Sequence, residues 1–349
     1  MNSASLNQIR GRVMRICILG GGGLGSVVGG YLAQAGVDVT LIARPSHAEA
    51  IGRNGLRIHG QRRGEHLVKE HLTAVTHPDQ AMGEFDYFIL AVKSKDTAQA
   101  LNDAIRLKDR CATVVSLQNN IVKEKLLAEW AGEAKVLGVS IIEGGTLEEP
   151  GVVLNHITAT TTFYAGELDG TVSARAEKIV EAMNKAGLPS KAVTCIKQVL
   201  WEKLCQICNA SAFSVSALAA NHDLTFNEGA VLRAGAEHYV TIAQEILSVY
   251  IRMGYTPQNF YAPLSRLKDI YEAKDFDEAC NSLITMAQQL QQKGIRSRTS
   301  MHDDVLNKRK TEAEWILKPI IAKANEFGVQ VPTLVAIDRI LSVLDAYAK

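Results

Sequence analysis

Six consecutive positions constrain this chain more than any others: Gly20-Gly21-Gly22-Gly23-Leu24-Gly25. The run before them, RICIL at 15–19, is apolar and rich in β-branched residues. The run after them, 24–35, carries small and apolar residues at helical spacing, and VDVTLIA at 37–43 reads as a second strand. Strand, glycine turn, helix, strand is a βαβ unit.

Within that unit Gly20, Gly22 and Gly25 spell G-x-G-x-x-G, and the context gives the motif its meaning. Gly20 permits the tight turn and Gly22 lets the backbone approach a pyrophosphate. Gly25 lets the helix pack close to the strand, and the helix start offers N–H donors and a positive dipole end. The expectation is a dinucleotide site on a Rossmann sheet, with Gly20, Gly22, Gly23, Leu24 and Gly25 at the cofactor. The end of the second strand selects the dinucleotide. An acidic residue there would hold ribose hydroxyls, but the chain has Ala43-Arg44-Pro45-Ser46. Arg44 offers a fork of donors to a 2′-phosphate, so the expected cofactor is NADPH.

The strand pattern continues through DYFILAV at 86–92, TVVSL at 113–117 and VLGVS at 136–140, with helical segments between. The first of these is almost wholly apolar, as a central parallel strand buried on both faces would be. The Thr-rich alternation at 152–166 reads as late strands closing the sheet. From 196 onward the texture is helical: 196–218, 229–253, 275–293, 311–328 and 333–348. The chain therefore divides into an α/β dinucleotide-binding domain at 14–194, mainly a doubly wound parallel sheet, and an all-α domain at 195–349. Residues 1–13 are a loose extension without an apolar signal core.

Composition excludes other classes. With 349 residues, 47% hydrophobic and 21% charged, the chain is globular and long enough for two cores. A net charge of +1 gives no basic excess for nucleic acid. The basic stretches at 57–63 and 308–310 read as solvated turns or helix faces. No apolar run is long enough to span a bilayer, and the histidines show no metal-ligand spacing. Six scattered cysteines fit reduced thiols in a cytoplasm. Cys205 and Cys208 form a C-x-x-C inside an apolar helical pattern, which favours packing over redox chemistry.

Lys203, in Trp201-Glu202-Lys203-Leu204, stands at the start of the most apolar helical stretch. A lysine there either reaches solvent or is held for chemistry. Together with Val92-Lys93-Ser94, Gln118-Asn119-Asn120, and Ser300 twelve positions before Glu312, it gives the chain a pattern that resembles the ketopantoate reductase family from Met14 onward. The resemblance implies a helical C-terminal domain of the 6-phosphogluconate-dehydrogenase-like type, and NADPH-dependent reduction of a 2-oxo acid, ketopantoate first, in pantothenate biosynthesis. It implies Lys203 as general acid and Glu312 as the residue that binds a substrate hydroxyl and orients the lysine. Ser300 would contact the carboxylate, Asn221 would bind substrate, and Lys93 and Asn119 would hold the nicotinamide ribose and nearby phosphate.

Two departures bear on substrate. The family asparagines four and eight residues after the lysine are Ile207 and Ser211 here. They replace one substrate donor by a hydrocarbon and another by a short hydroxyl, which favours a relative acting on another branched or aromatic 2-oxo acid. Asn120 stands where the family turn has glycine, and asparagine tolerates left-handed geometry. A non-catalytic NADPH-binding regulator is the reading from another class, although it has no use for Lys203, Glu312 and Ser300. A dehydrogenase of the hydroxyisobutyrate type shares the two-domain plan but fits the later motifs less well. Long apolar helices also permit a homodimer.

Overall fold

The computed structural model describes residues 13–60, 64–157, 159–218, 221–296 and 298–348. The extension at 1–13, Val13 apart, and the end of the basic stretch at 61–63 lie outside them. The chain forms two compact units: Met1–Gln118 with Val122–Lys197, and Asn119–Ile121 with Gln198–Lys349.

The first unit is built on a five-stranded sheet ordered β5-β2-β1-β6-β7, where β1 is Arg15–Leu19, β2 Asp38–Ile42, β5 Leu72–Val75, β6 Phe85–Leu90 and β7 Cys111–Ser116. Every pairing in it is parallel. Ile16, Ile18, Phe88, Ile89 and Leu90 are fully buried, which explains the unbroken apolar runs. The strand order reverses between β1 and β6, so the crevice for a ligand lies beyond their carboxyl ends.

The residues expected to close this sheet do something else. β10 (Val152–Ile157) joins a second sheet ordered β4-β3-β10-β9, with β3 at Leu56–Gly60, β4 at Gly64–Val68 and β9 at Glu143–Glu149. β11 (Phe163–Gly166) pairs antiparallel with β8 (Gly138–Ile141) and parallel with β12 (Ser190–Ala192). The reading of the basic stretch as a turn or helix face is thereby corrected for residues 57–60. Leu56 and Ile58 face the core while Arg57 points to solvent, an alternation that the arginines of the stretch disguise.

The second unit is helical and packs around Phe213, Val240, Ile246, Tyr250, Ile320 and Leu334. Its longest helix, Ile196–Ala217, begins at the last residues of the first unit. Two expected long helices are each divided in two. Phe226–Ala230 and Arg233–Arg252 flank a break at Val231-Leu232, and Ala313–Ile316 ends just before Lys318–Phe327, whose first turn holds Pro319. The proline lacks an N–H and suits a helix start, not an interior. Among the described residues no helix is long and apolar enough to cross a membrane.

Candidate active site

In the first unit the glycine turn is shaped by what stands next to it. Gly20 has φ +117, and a Cβ there would lie 2.6 Å from the Ala91 carbonyl carbon and the Val92 nitrogen. The turn is thus pressed against the chain leaving β6, directly before Lys93. A Cβ on Gly25 would lie 2.1 Å from the Gly20 carbonyl oxygen. At Gly22 a Cβ would meet nothing within 4 Å, so this glycine faces open space. Gly22 caps the helix Gly23–Gln34 without a side-chain cap, and the first turn has no acidic residue. Its N–H groups are therefore left for an anion. Leu24 packs its side chain against the core behind the sheet.

Gly23 has a different neighbour. A Cβ there would lie 2.0 Å from the Gly145 carbonyl oxygen, and one on Gly145 would lie 2.4 Å from the Gly23 oxygen. The β9 backbone crosses the first turn of the helix, which only two glycines allow. Arg44, beyond β2, is exposed, and its guanidinium has no hydrogen bond or ion pair among the described residues. Lys93 is also exposed, at the entry to the Ser94–Asp96 turn.

Behind this surface lies a buried polar network. Gln118 donates to the Val92 carbonyl (3.0 Å) and to Thr97 Oγ1 (2.6 Å). Lys123, 1% exposed, donates to the carbonyls of Ser116, Gln118 and Val139 at 3.0, 3.0 and 2.8 Å. Burial pushes the pKa of this lysine down and Glu124 opposes it, while three carbonyl acceptors match the three N–H groups of an ammonium. Together they tie the loop carrying Lys93 to the strand end that leads into Asn119. Sequence reasoning missed Lys123. The available signal was a lysine opening the helix Lys123–Ala131 just past a strand's carboxyl end.

In the second unit Asn119–Ile121 pack with the helical residues. Lys203 lies about two turns into its helix, beyond the helix start where the sequence reading placed it, and is 5% exposed. Its Nζ donates to Asn119 Oδ1 at 2.7 Å. Asn119, expected at the cofactor ribose, thus also touches the lysine. The neighbouring Glu202 is 1% exposed and accepts from the backbone N–H groups of Gln258 (2.8 Å) and Phe260 (3.0 Å) and from the Tyr250 hydroxyl. Burial pushes its pKa up against those hydrogen bonds. Glu202 anchors the helix, and its carboxylate is fully engaged by these partners.

Ile207 is half-buried against the helical core. Ser211 is 1% exposed, and its Oγ has no partner among the described residues. Asn120 is buried and does not have a positive φ, so the departure from glycine there carries no backbone strain. Asn221 is exposed, with its Oδ1 accepting from the Asp223 N–H at 2.7 Å. Ser300 is exposed at the first residue of the helix Ser300–Leu306, and Glu312 is half-buried as the cap of Ala313–Ile316. Cys205 and Cys208 are buried thiols whose pKa burial raises, the opposite of what reactive cysteines need.

A parallel sheet with an open glycine turn at its switch point, joined to a helical unit with a buried lysine, defines a two-domain pyridine-nucleotide oxidoreductase. The chain belongs to the ketopantoate reductase PanE/ApbA family: residues 16–170 match the family's N-terminal domain and 195–345 its C-terminal domain. The 2-dehydropantoate 2-reductase of Archaeoglobus fulgidus is 32% identical over 91% of this chain and 93% of its own. The structure of 2-dehydropantoate 2-reductase from Geobacter metallireducens superposes with a TM-score of 0.76 at 22% identity, covering 95% of this chain and 99% of that one. The ternary structure of D-mandelate dehydrogenase with NADH and anilino(oxo)acetate shares the fold, with a TM-score of 0.73 at 20% identity and coverage of 95% and 99%.

Proposed function

We propose that this protein reduces a 2-oxo acid to the 2-hydroxy acid with NADPH, and that 2-dehydropantoate is its first substrate. The observation that carries the reading is the buried Nζ of Lys203, which donates to Asn119. A lysine fixed by its neighbour is placed to give a proton to a carbonyl oxygen. A bound nicotinamide would supply the hydride for the carbonyl carbon. Lys203 supplies the proton to the oxygen, so ketone, hydride and proton together make the alcohol. Ser300 would bind the substrate carboxylate, with Glu312 and Asn221 on its hydroxyl. Gly20, Gly22 and Gly25 with the free helix start suit a pyrophosphate, and Lys93 suits the phosphate and ribose beside them. The exposed, unpaired Arg44 suits a 2′-phosphate, which supports NADPH over NADH. The free thiols fit a cytoplasmic enzyme, and pantothenate synthesis is the pathway this substrate implies.

A second reading has its own observation. Ile207 puts hydrocarbon one turn from Lys203, where a polar substrate group would find no partner. This favours a branched or aromatic 2-oxo acid on the same scaffold. Purified protein, NADPH and a panel of 2-oxo acids decide, followed by loss of NADPH absorbance. Fast turnover of 2-dehydropantoate supports the first reading and turnover confined to branched or aromatic acids supports the second. Tight NADPH binding without turnover of any would sink both in favour of a regulator.

A further inference from the structure

His47 is 1% exposed and has both ring nitrogens engaged. Gly151 N–H donates to Nδ1 at 2.9 Å, and Nε2 lies 3.0 Å from Ser26 Oγ. Because a backbone N–H can only donate, Nδ1 must present its lone pair. The proton therefore sits on Nε2 and points to the Ser26 oxygen. The imidazole is neutral and locked in one tautomer.

Its partners belong to two other parts of the cofactor surface. Ser26 is fully buried in the first turn of the helix behind the glycine motif, and its N–H donates to the Gly22 carbonyl at 2.9 Å. Gly151 is the positive-φ turn between β9 and β10, and β9 is the strand whose Gly145 lies against Gly23. His47 itself lies in the first turn of the helix Pro45–Asn54, capped by Arg44. The N–H groups of His47 and Ala48 both donate to the Arg44 carbonyl at 3.0 Å. That helix buries only His47, Ala48 and Ile51. Its apolar grip is thin, so directional hydrogen bonds from His47 set where its first turn, and Arg44, stand relative to the glycine turn.

We propose that His47 is a positioning residue for recognition of the cofactor's 2′-phosphate: bonded to Ser26 and Gly151, it holds Arg44 at a fixed offset from the pyrophosphate turn. This rests on the reading of Arg44 and NADPH above. NADH carries no 2′-phosphate and does not need Arg44 in place, so the two cofactors separate a positioning role from a merely structural one.

The test compares KM for NADPH and for NADH in wild type, Arg44→Ala, His47→Leu, His47→Asn and Ser26→Ala. His47→Leu removes both bonds at similar volume, and the NADPH KM should rise about tenfold while the NADH KM stays within about twofold, the loss expected for one or two buried hydrogen bonds. In His47→Asn the Oδ1 can replace Nδ1 opposite Gly151, which should restore most of the preference, and Ser26→Ala should lose part of it. If His47→Leu does not fold, the latter two variants carry the test. A wild type without NADPH preference, or a preference that survives Arg44→Ala, overturns the reading of Arg44 and this proposal with it. A preference lost in Arg44→Ala but intact in every His47 and Ser26 variant, or KM values for both cofactors rising together, overturns the proposal alone.

Discussion

Lys203 Nζ and Asn119 Oδ1 are 2.7 Å apart although 84 positions separate them in the chain. The asparagine arrives from the loop after β7 and the lysine from the longest helix, and both belong to the same packed unit. An amide oxygen accepts from lysine in either protonation state, so it can aim the ammonium without withholding its proton.

Removing the donor should therefore cost more than removing its guide. Lys203→Ala should lower kcat by about 10²- to 10⁴-fold, with NADPH affinity within a few-fold of wild type. Asn119→Ala should cost less, on the order of tenfold. Because the two act as a unit, the double variant should be no slower than Lys203→Ala. Steady-state kinetics of all three settle it, and effects that multiply would show the two residues acting separately.

Gly22 and Gly23 are neighbours with opposite reasons to be glycine. Gly23→Ala would push a Cβ into the Gly145 backbone, where no side chain can yield. A loss of about 1–3 kcal/mol is expected from overpacking of this kind. Gly22→Ala meets nothing, so its melting temperature should hardly move while NADPH affinity falls roughly tenfold or more as the Cβ takes the space open to the pyrophosphate. Thermal melts and NADPH titration separate the two. Normal NADPH binding by Gly22→Ala would mean that the open space is not the phosphate's path.

These contrasts mark what could be read from the chain. The βαβ unit and the buried run at 86–92 were legible because local periodicity and burial agree there. The place of 152–166 was not. Its alternation announces strands but not partners, and pairing with residues near Leu56 and Glu143 is settled by distant packing on the Gly23–Gln34 helix. Lys203 was visible as a cation out of place in an apolar helix, whereas nothing in the local pattern around Lys123 singles it out. Its three carbonyl partners come from the end of β7, the loop after it and β8, which only the fold brings together.

Three wholly or partly buried imidazoles give the fold a pH dependence of definite sign. Burial lowers the pKa of His47, and the same holds for His238 and His302. As pH falls through about 6.5, the unfolded chain binds protons that the folded chain refuses. Stability should therefore be full above that value, decline below it, and level off once the folded-state pKa values are passed. Melting temperature between pH 7.5 and about 5 measures this, over a range where most carboxylates stay ionised. His47→Gln should melt with a shallower slope, and a slope identical to wild type would show that His47 titrates alike in both states.

Ile207 and Ser211 lie four and eight residues after Lys203, so an ideal helix puts all three on one face. Their environments differ. Ser211 is sealed at 1% exposure, and a larger side chain there would have to displace the core. Ile207 is only half-buried and can exchange shape with a substrate. If this face lines the substrate's side chain, Ile207→Asn adds a donor and an acceptor where there was hydrocarbon. The ratio of kcat/KM for 2-dehydropantoate, which carries a hydroxyl, to that for an aliphatic 2-oxo acid of similar size should rise by roughly tenfold or more, since sites that hydrogen-bond a hydroxyl discriminate more sharply than apolar ones. The variant should also lose about 1–2 kcal/mol of stability from the apolar surface given up, so the ratio of substrates, and not absolute rate, is the quantity to read. An unchanged ratio would remove Ile207 from the substrate wall and leave its packing against the helical core as its whole role.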